Sequence, residues 1–180
     1  MDFKLSKASR IWDLLVPIVT KGESHSVYIS DEISAPDTYN ELCHRLRTAK
    51  SKDTFTLYLN TPGGYIDSAL MLIDAIKTSK AEVNAHISGT VASAGTVITL
   101  ACDKVTVAPH TAFMIHNYSS GMQGKGHEMK AYQNFVDKNL NGAFKELYAG
   151  FLEEDEMQDI IDGKDLWLNK EEVEERLSRR

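Results

Sequence analysis

The sequence predicts an α/β fold with largely parallel strands, on three observations. β-Rich apolar runs alternate with helical apolar stripes, short turns separate them, and the length suits one core. At 180 residues and 42% hydrophobic, residues 1–180 are expected to form one domain that buries roughly 70% of its unfolded surface. In such folds ligands bind at the C-terminal ends of the strands.

After an N-terminal arm over residues 1–22, residues 26–30 read as a strand. An acidic turn then leads to a helix over 36–50 with Tyr39, Leu42, Cys43 and Leu46 on one face. The unit repeats: residues 55–59 are β-rich, Pro62-Gly63-Gly64 breaks the run, and Ile66, Ala69, Leu70, Ile73 and Ile76 form a helical stripe. In the third unit residues 83–88 alternate as a strand, Gly89 is expected to turn the chain, and Ser93 opens a buried helix reaching Ala101. Residues 104–107 and 111–115 supply two further β-runs. Beyond the glycine-rich stretch 119–126, a long helix over 127–150 carries Met129, Tyr132, Phe135, Val136, Leu140, Phe144 and Tyr148. So wide an apolar face suits either an oligomer interface or packing on the chain's own core. Short helices near 153–161 and 170–177 complete the chain.

A formal net charge of -6 argues against nucleic acid as a partner, because phosphate binding needs a concentrated basic surface. Cys43 and Cys102 have no metal-ligand spacing and read as buried free thiols, which fits a reducing cytoplasm. Asp13 and Pro17 interrupt the apolar stretch 11–19, and no run approaches the length of a membrane span.

Three islands at the ends of apolar runs carry the chemistry: Thr61-Pro62-Gly63-Gly64, the segment from Gly89 to Gly95 containing Ser93, and Met114-Ile115-His116-Asn117. A serine hydroxyl is a poor nucleophile at neutral pH. It needs a base within hydrogen-bond reach and donors waiting for the charge that develops on the substrate carbonyl. Ser93 has small neighbours and a helix beginning beside it, although a serine in that position alone is more commonly an N-cap. The two glycines offer unhindered backbone N–H donors, although Pro-Gly-Gly alone is more commonly a plain turn.

Of the histidines, His116 is the base candidate, and no histidine pair has metal-binding spacing. The orienting carboxylate is assigned to Asp165, which precedes Leu166-Trp167-Leu168 and is expected to be buried by it; Asp162 is the rival. The stretch Gly121-Met122-Gln123-Gly124-Lys125-Gly126 is not a phosphate loop and reads as a flexible peptide-binding edge. Nor do residues 91–95 make a full GxSxG elbow.

Taken together, these residues resemble the ClpP family, the proteolytic subunit of the ATP-dependent Clp protease, over roughly 27–177. Residues 57–64 resemble the family's strand and SPGG turn, 89–96 its nucleophile segment, 113–116 its histidine segment, and 164–168 its Asp-x-Phe stretch, which favours Asp165. The resemblance implies Ser93 as nucleophile, His116 as general base and acid, Asp165 as orienting carboxylate, and Gly64 and Ala94 as oxyanion donors through their N–H groups. It further implies a ClpP/crotonase-like spiral of strand-helix units with a protruding handle helix. Heptameric rings, stacked as a tetradecamer around a chamber, and an AAA+ unfoldase that alone uses ATP also follow, so no cofactor or metal is expected. Substrate peptide is expected to pair as an added strand with Gly121, Met122, Gln123 and Gly124.

The chain departs from the family pattern in several places. Lys164 stands where arginine is usual, Thr56 replaces an aromatic residue on the unfoldase-docking surface, and 1–22 matches the pore-lining arm poorly. The chain also stops soon after its last helix, as in a divergent or viral member. Two other readings use the same residues differently: a crotonase-like acyl-CoA enzyme, which needs no triad, and an inactive structural or assembly protein. A membrane-tethered Ser/Lys signal-peptide peptidase is disfavoured because no anchor is evident in the sequence.

Overall fold

The computed structural model describes residues 16–119, 121 and 123–180, so most of the N-terminal arm, Ser120 and Met122 lie outside the described residues. The elements run β1 (Ile18–Lys21), β2 (Ser24–Ile29), a 3-10 turn (Pro36–Tyr39), α1 (Asn40–Thr48), β3 (Thr54–Thr61), α2 (Ile66–Thr78), β4 (Glu82–Ala92) and α3 (Ala94–Ala101). They continue with β5 (Lys104–Val107), β6 (Ala112–Ile115), α4 (Gly126–Leu147), α5 (Glu154–Ile161), β7 (Leu166–Leu168) and α6 (Lys170–Arg179).

Among the described residues seven strands form one sheet in the order β1-β2-β3-β4-β6-β7, with β5 also paired to β4. Strands β2 to β6 pair in parallel, as strand-helix alternation requires, while β1 and β7 close the two ends antiparallel. Strand β4 carries two partners on one side: β5 along Asn84–Ile87, and β6 farther on, along Thr90–Ala92. This second pairing brings the end of β6 beside the end of β4, where the second and third islands lie.

Phe55, Leu57 and Leu59 of β3 and Val83, Ala85 and Ile87 of β4 alternate inward with the period of two that the sequence shows. Every residue of α3 is buried, as its lack of any charged side chain requires. The inward face of α2 is Ala69, Leu72, Ile73, Ala75 and Ile76, so the apolar stripe is rotated from the expected one and Leu70 is only half buried. Pro36 starts a 3-10 turn before α1 rather than the α-helix itself, consistent with proline's fixed φ and missing N–H.

Gly89 does not turn the chain. It lies inside β4 at φ 62°, where the β3–β4 register slips between Leu59↔Ile87 and Thr61↔Val91. A Cβ there would lie 2.9 Å from Asn60 Oδ1, and that same oxygen accepts from Thr90 N–H at 3.2 Å. The glycine thus marks a β-bulge that carries the strand on to Ala92.

The long helix α4 divides into two parts. Leu140 and Phe144 are buried, as is Tyr148 just past its end, and Tyr148 Oη hydrogen-bonds Thr96 Oγ1 of α3 at 2.6 Å. Burial pushes the Tyr148 phenol pKa up, partly opposed by that hydrogen bond, so the phenol stays neutral. Tyr132 and Phe135, nearer the start of α4, are 57% and 64% exposed. Both cysteines are free thiols, Cys43 buried and Cys102 half buried. No helix among the described residues is long and apolar enough to cross a membrane.

Candidate active site

Strand β4 ends at Ala92, and Ser93 follows with φ 53° and ψ -123°. That region is costly for a residue with a Cβ and persists only where the surroundings enforce it. They do so here. Ser93 N–H donates to Met114 O at 2.8 Å, extending the β4–β6 ladder. Ser93 C=O accepts from Thr96 N–H at 2.9 Å and from Thr96 Oγ1 at 2.6 Å. Although Ser93 is the N-cap of α3, its side chain makes no capping hydrogen bond, so the N-cap reading does not describe its hydroxyl. Ser93 instead lines a cleft of about 540 Å³.

The Thr61-to-Gly64 turn packs directly beneath the serine. Gly63 sits at φ 99°, and a Cβ on it would lie 2.6 Å from Ser93 Cβ and 2.8 Å from Ala92 O. Thr61 Oγ1 accepts from Gly63 N–H at 3.1 Å and holds the turn from inside. Gly95 completes the fit, since a Cβ there would lie 2.6 Å from Thr61 Cγ2. Gly64, at φ 145°, bridges Ile33 through Ile33 N–H to Gly63 O at 2.7 Å and Tyr65 N–H to Ile33 O at 2.9 Å. In a parallel bridge those bonds flank Gly64, so its own N–H points away from Ile33. Ala94 is the first residue of α3, where a helix N–H has no intrahelical acceptor. Both Gly64 and Ala94 line the same cleft as Ser93.

His116 follows β6 by one residue, is half buried, and also lines that cleft. Ladder pairing of Ala92 with Met114 sets it beside the serine turn. On the other edge of β6, Ile115 pairs with Leu166 in the antiparallel β6–β7 register, and that register continued by one residue would set Asp165 opposite His116; among the described residues the side chains of Ser93, His116 and Asp165 make no hydrogen bond to one another.

The expectation that Leu166-Trp167-Leu168 buries Asp165 is corrected, because Asp165 is exposed and Trp167 points outward at 58% exposure. An edge strand alternates its faces, so Leu166 and Leu168 turn inward, half and fully buried, while Trp167, and Asp165 two residues before it, turn outward. The rival Asp162 is also exposed and accepts from Gln158 Nε2 at 2.9 Å. Of the expected substrate edge, Gly121, Gln123 and Gly124 are exposed and in no strand, and Met122 lies outside the described residues. Lys164 pairs with Asp159 of its own chain at 2.7 Å.

Four features in and around the cleft are not evident from the sequence. Glu32 and Asp67 place two carboxylates in its lining. Thr61 braces the glycine turn, for which its place in Thr-Pro-Gly-Gly was a usable signal. Thr96 joins the serine turn to Tyr148. Tyr118, two residues past His116, lines the cleft and hydrogen-bonds α4, and its pKa is raised by burial first and by Asp137 second. Among the described residues no group of three or more His, Cys, Asp or Glu could hold a metal ion.

A family model described as Clp protease matches residues 18–175 of the chain. The ATP-dependent Clp protease proteolytic subunit 2 of Pseudomonas aeruginosa is 33% identical over 148 residues, covering 79% of this chain and 71% of the relative. Subunit 3 of the same protease in Rhizobium meliloti is 31% identical over 158 residues, covering 84% and 79%. The proteolytic subunit of Paracoccus denitrificans is 30% identical over 153 residues, covering 82% and 75%.

Proposed function

This chain belongs to the Clp protease family and is a serine peptidase of that family; from that premise we propose that Ser93, His116 and Asp165 carry the reaction, with Gly64 and Ala94 as oxyanion donors. His116 takes the Ser93 proton as Oγ attacks the peptide carbonyl, and then gives it to the leaving amine. Asp165 orients the imidazole and stabilises its charged form. The Gly64 and Ala94 N–H groups receive the negative charge on the carbonyl oxygen, aided by the N-terminal end of α3. Water then hydrolyses the acyl-enzyme by the same route.

One observation carries this reading: Ser93 is held at φ 53° with its hydroxyl uncommitted to the helix N-terminus, in a cleft shared with His116. A serine kept merely to cap α3 would have no reason for that strain. The family match likewise disfavours an acyl-CoA enzyme or an inactive assembly protein.

The substrates proposed are unfolded polypeptides, because the family acts on peptide bonds and the open cleft beside Ser93 sets the Gly64 and Ala94 backbone next to apolar side chains such as Ile66, Leu70 and Val136, which extended chain can lie along. Extended peptide pairs with the edge at Gly121, Met122, Gln123 and Gly124. The single domain assembles as stacked heptameric rings in the cytoplasm, fed by an AAA+ unfoldase that uses the ATP, and the peptidase itself needs no cofactor. The exposed Tyr132 and Phe135 of α4 fit burial in such an assembly.

Ser93→Ala tests the reading. Hydrolysis of a fluorogenic peptide and labelling by a fluorophosphonate should both vanish while circular dichroism is unchanged. Cleavage that survives the substitution removes Ser93 as nucleophile.

A further inference from the structure

The segment after His116 is tied on two sides. Asn117 Nδ2 donates to Ile161 O at 3.0 Å, at the end of the helix that leads toward Asp165. Asn117 Oδ1 accepts from Tyr118 N–H at 2.8 Å, which turns the next side chain the other way. Tyr118 Oη then donates to Asp137 Oδ1 of α4, while Gln133 Nε2 donates to Tyr118 Oη at 2.6 Å and to Asp137 Oδ1 at 2.9 Å. Gln133 and Asp137 stand one helical turn apart and form a closed three-membered ring of hydrogen bonds with the phenol.

We infer that Tyr118 is a positioning residue for the peptidase reaction: by clasping Asp137 and Gln133 it fixes the segment after His116 against α4 and so sets the imidazole relative to Ser93. This rests on the roles proposed above for Ser93 and His116. Only backbone precedes the imidazole on one side, where β6 pairs with β4 and β7. On the other, Asn117 and Tyr118 are the ties. Tyr132 and Phe135, beside Gln133 on α4, line the same cleft as Ser93 and His116, so the clasp also links the base to the helix that walls the cleft.

A phenol that donates to a carboxylate and accepts from an amide has both of its functions satisfied, so its loss frees the segment without opening the core. A displacement of the base by about 1 Å costs on the order of 10²-fold in rate at the extreme, and a loosened tie should cost roughly tenfold.

The test uses the full chain with a fluorogenic peptide, comparing Tyr118→Phe, Asp137→Leu and Asp137→Asn. Tyr118→Phe and Asp137→Leu should each lower kcat about tenfold with KM within about twofold, and together should do no worse than either alone. Asp137→Asn keeps an acceptor for the phenol and should restore most of kcat; a kcat as low as that of Asp137→Leu would count against the clasp. Losses that add in the double variant, a change in KM alone, or wild-type kcat in Tyr118→Phe would each overturn the proposal. If Tyr118→Phe does not fold, the two Asp137 variants decide the question in its place. Activity surviving in Ser93→Ala would defeat the parent reading; loss there with an unaffected Tyr118→Phe would defeat the clasp alone.

Discussion

The two halves of the candidate site are built by different means. The serine and glycine half is held by backbone packed too closely to move: Gly63 against Ser93, Gly64 against Ile33, and Gly95 against Thr61. The histidine and aspartate half stands toward the sheet's far edge, with His116 half buried and Asp165 exposed; His116 follows the paired backbone of β6 and is tied beyond it by side-chain hydrogen bonds from Asn117 and Tyr118. Donors for an oxyanion must be preorganised to act, so the proposed donors Gly64 and Ala94 sit on closely packed backbone, although Gly64 itself is exposed. The base and its partner must pass a proton and are held by ties that can be adjusted. Substitutions in the first half should therefore break chemistry and fold together, and those in the second should tune chemistry alone.

The largest effect is expected from Gly63→Ala. The added methyl meets Ser93 Cβ at 2.6 Å and Ala92 O at 2.8 Å, from a backbone at φ 99° that disfavours any side chain. Ser93 and both proposed oxyanion donors must shift, so kcat/KM should fall on the order of 10³. The melting temperature should fall with it, because the clash lies in buried backbone. An alanine variant with wild-type kinetics would show that the turn is not pressed against the nucleophile.

Asp165→Asn tests the other half. Removing the charge while keeping the shape should lower kcat on the order of 10², less than the glycine change because Asp165 is exposed. Circular dichroism and melting should be unaffected. Asp162→Asn is the matched control, since that side chain engages Gln158 instead. Should Asp162→Asn be the slower enzyme, the β6–β7 register is the wrong guide to the carboxylate.

This division also explains what was legible in the sequence. Alternating apolar periods announce β3, α2, β4 and α3, and Thr61-Pro62-Gly63-Gly64 and Ala92-Ser93-Ala94-Gly95 stand out because only small residues fit where two backbones touch. The strain at Ser93 was not legible, since nothing in a serine records its φ. Nor was the bulge at Gly89, because a glycine between two β-runs reads as a turn until its neighbour Asn60 is seen across the ladder. The ring of Tyr118, Gln133 and Asp137 joins residues 15 and 19 apart through side chains alone, which no periodicity reports. The exposure of Asp165 was misjudged for a related reason: apolar residues after it bury themselves, not it.

The smallest effect should come from outside both halves, in the frame that carries β7. Arg176 of α6 makes a paired contact with Glu156 of α5, at 2.6 and 2.7 Å, and donates to Phe151 O at 3.1 Å. The hydrogen bonds from Arg176 hold the Glu156 carboxyl below its ordinary value of 4.5, with burial opposing. A carboxylate whose pKa is lowered by folding contributes stability above its unfolded pKa and loses it as pH falls through the folded value. The pair should therefore be fully effective at neutral pH and fail only below about 4.5. Glu156→Gln keeps the acceptor for Glu153 N–H in the α5 capping box but removes the charge. It should lower stability at pH 7 by about 2 kcal/mol, or roughly 4–8 °C in melting temperature, and flatten the loss of stability in acid. kcat should not move, because Glu156 lies in the first turn of α5, five residues before Ile161, whose carbonyl holds Asn117 at the far end of that helix. A fall in kcat at constant KM would mean that the outer frame, too, sets the position of His116, and the separation of the two halves would then fail.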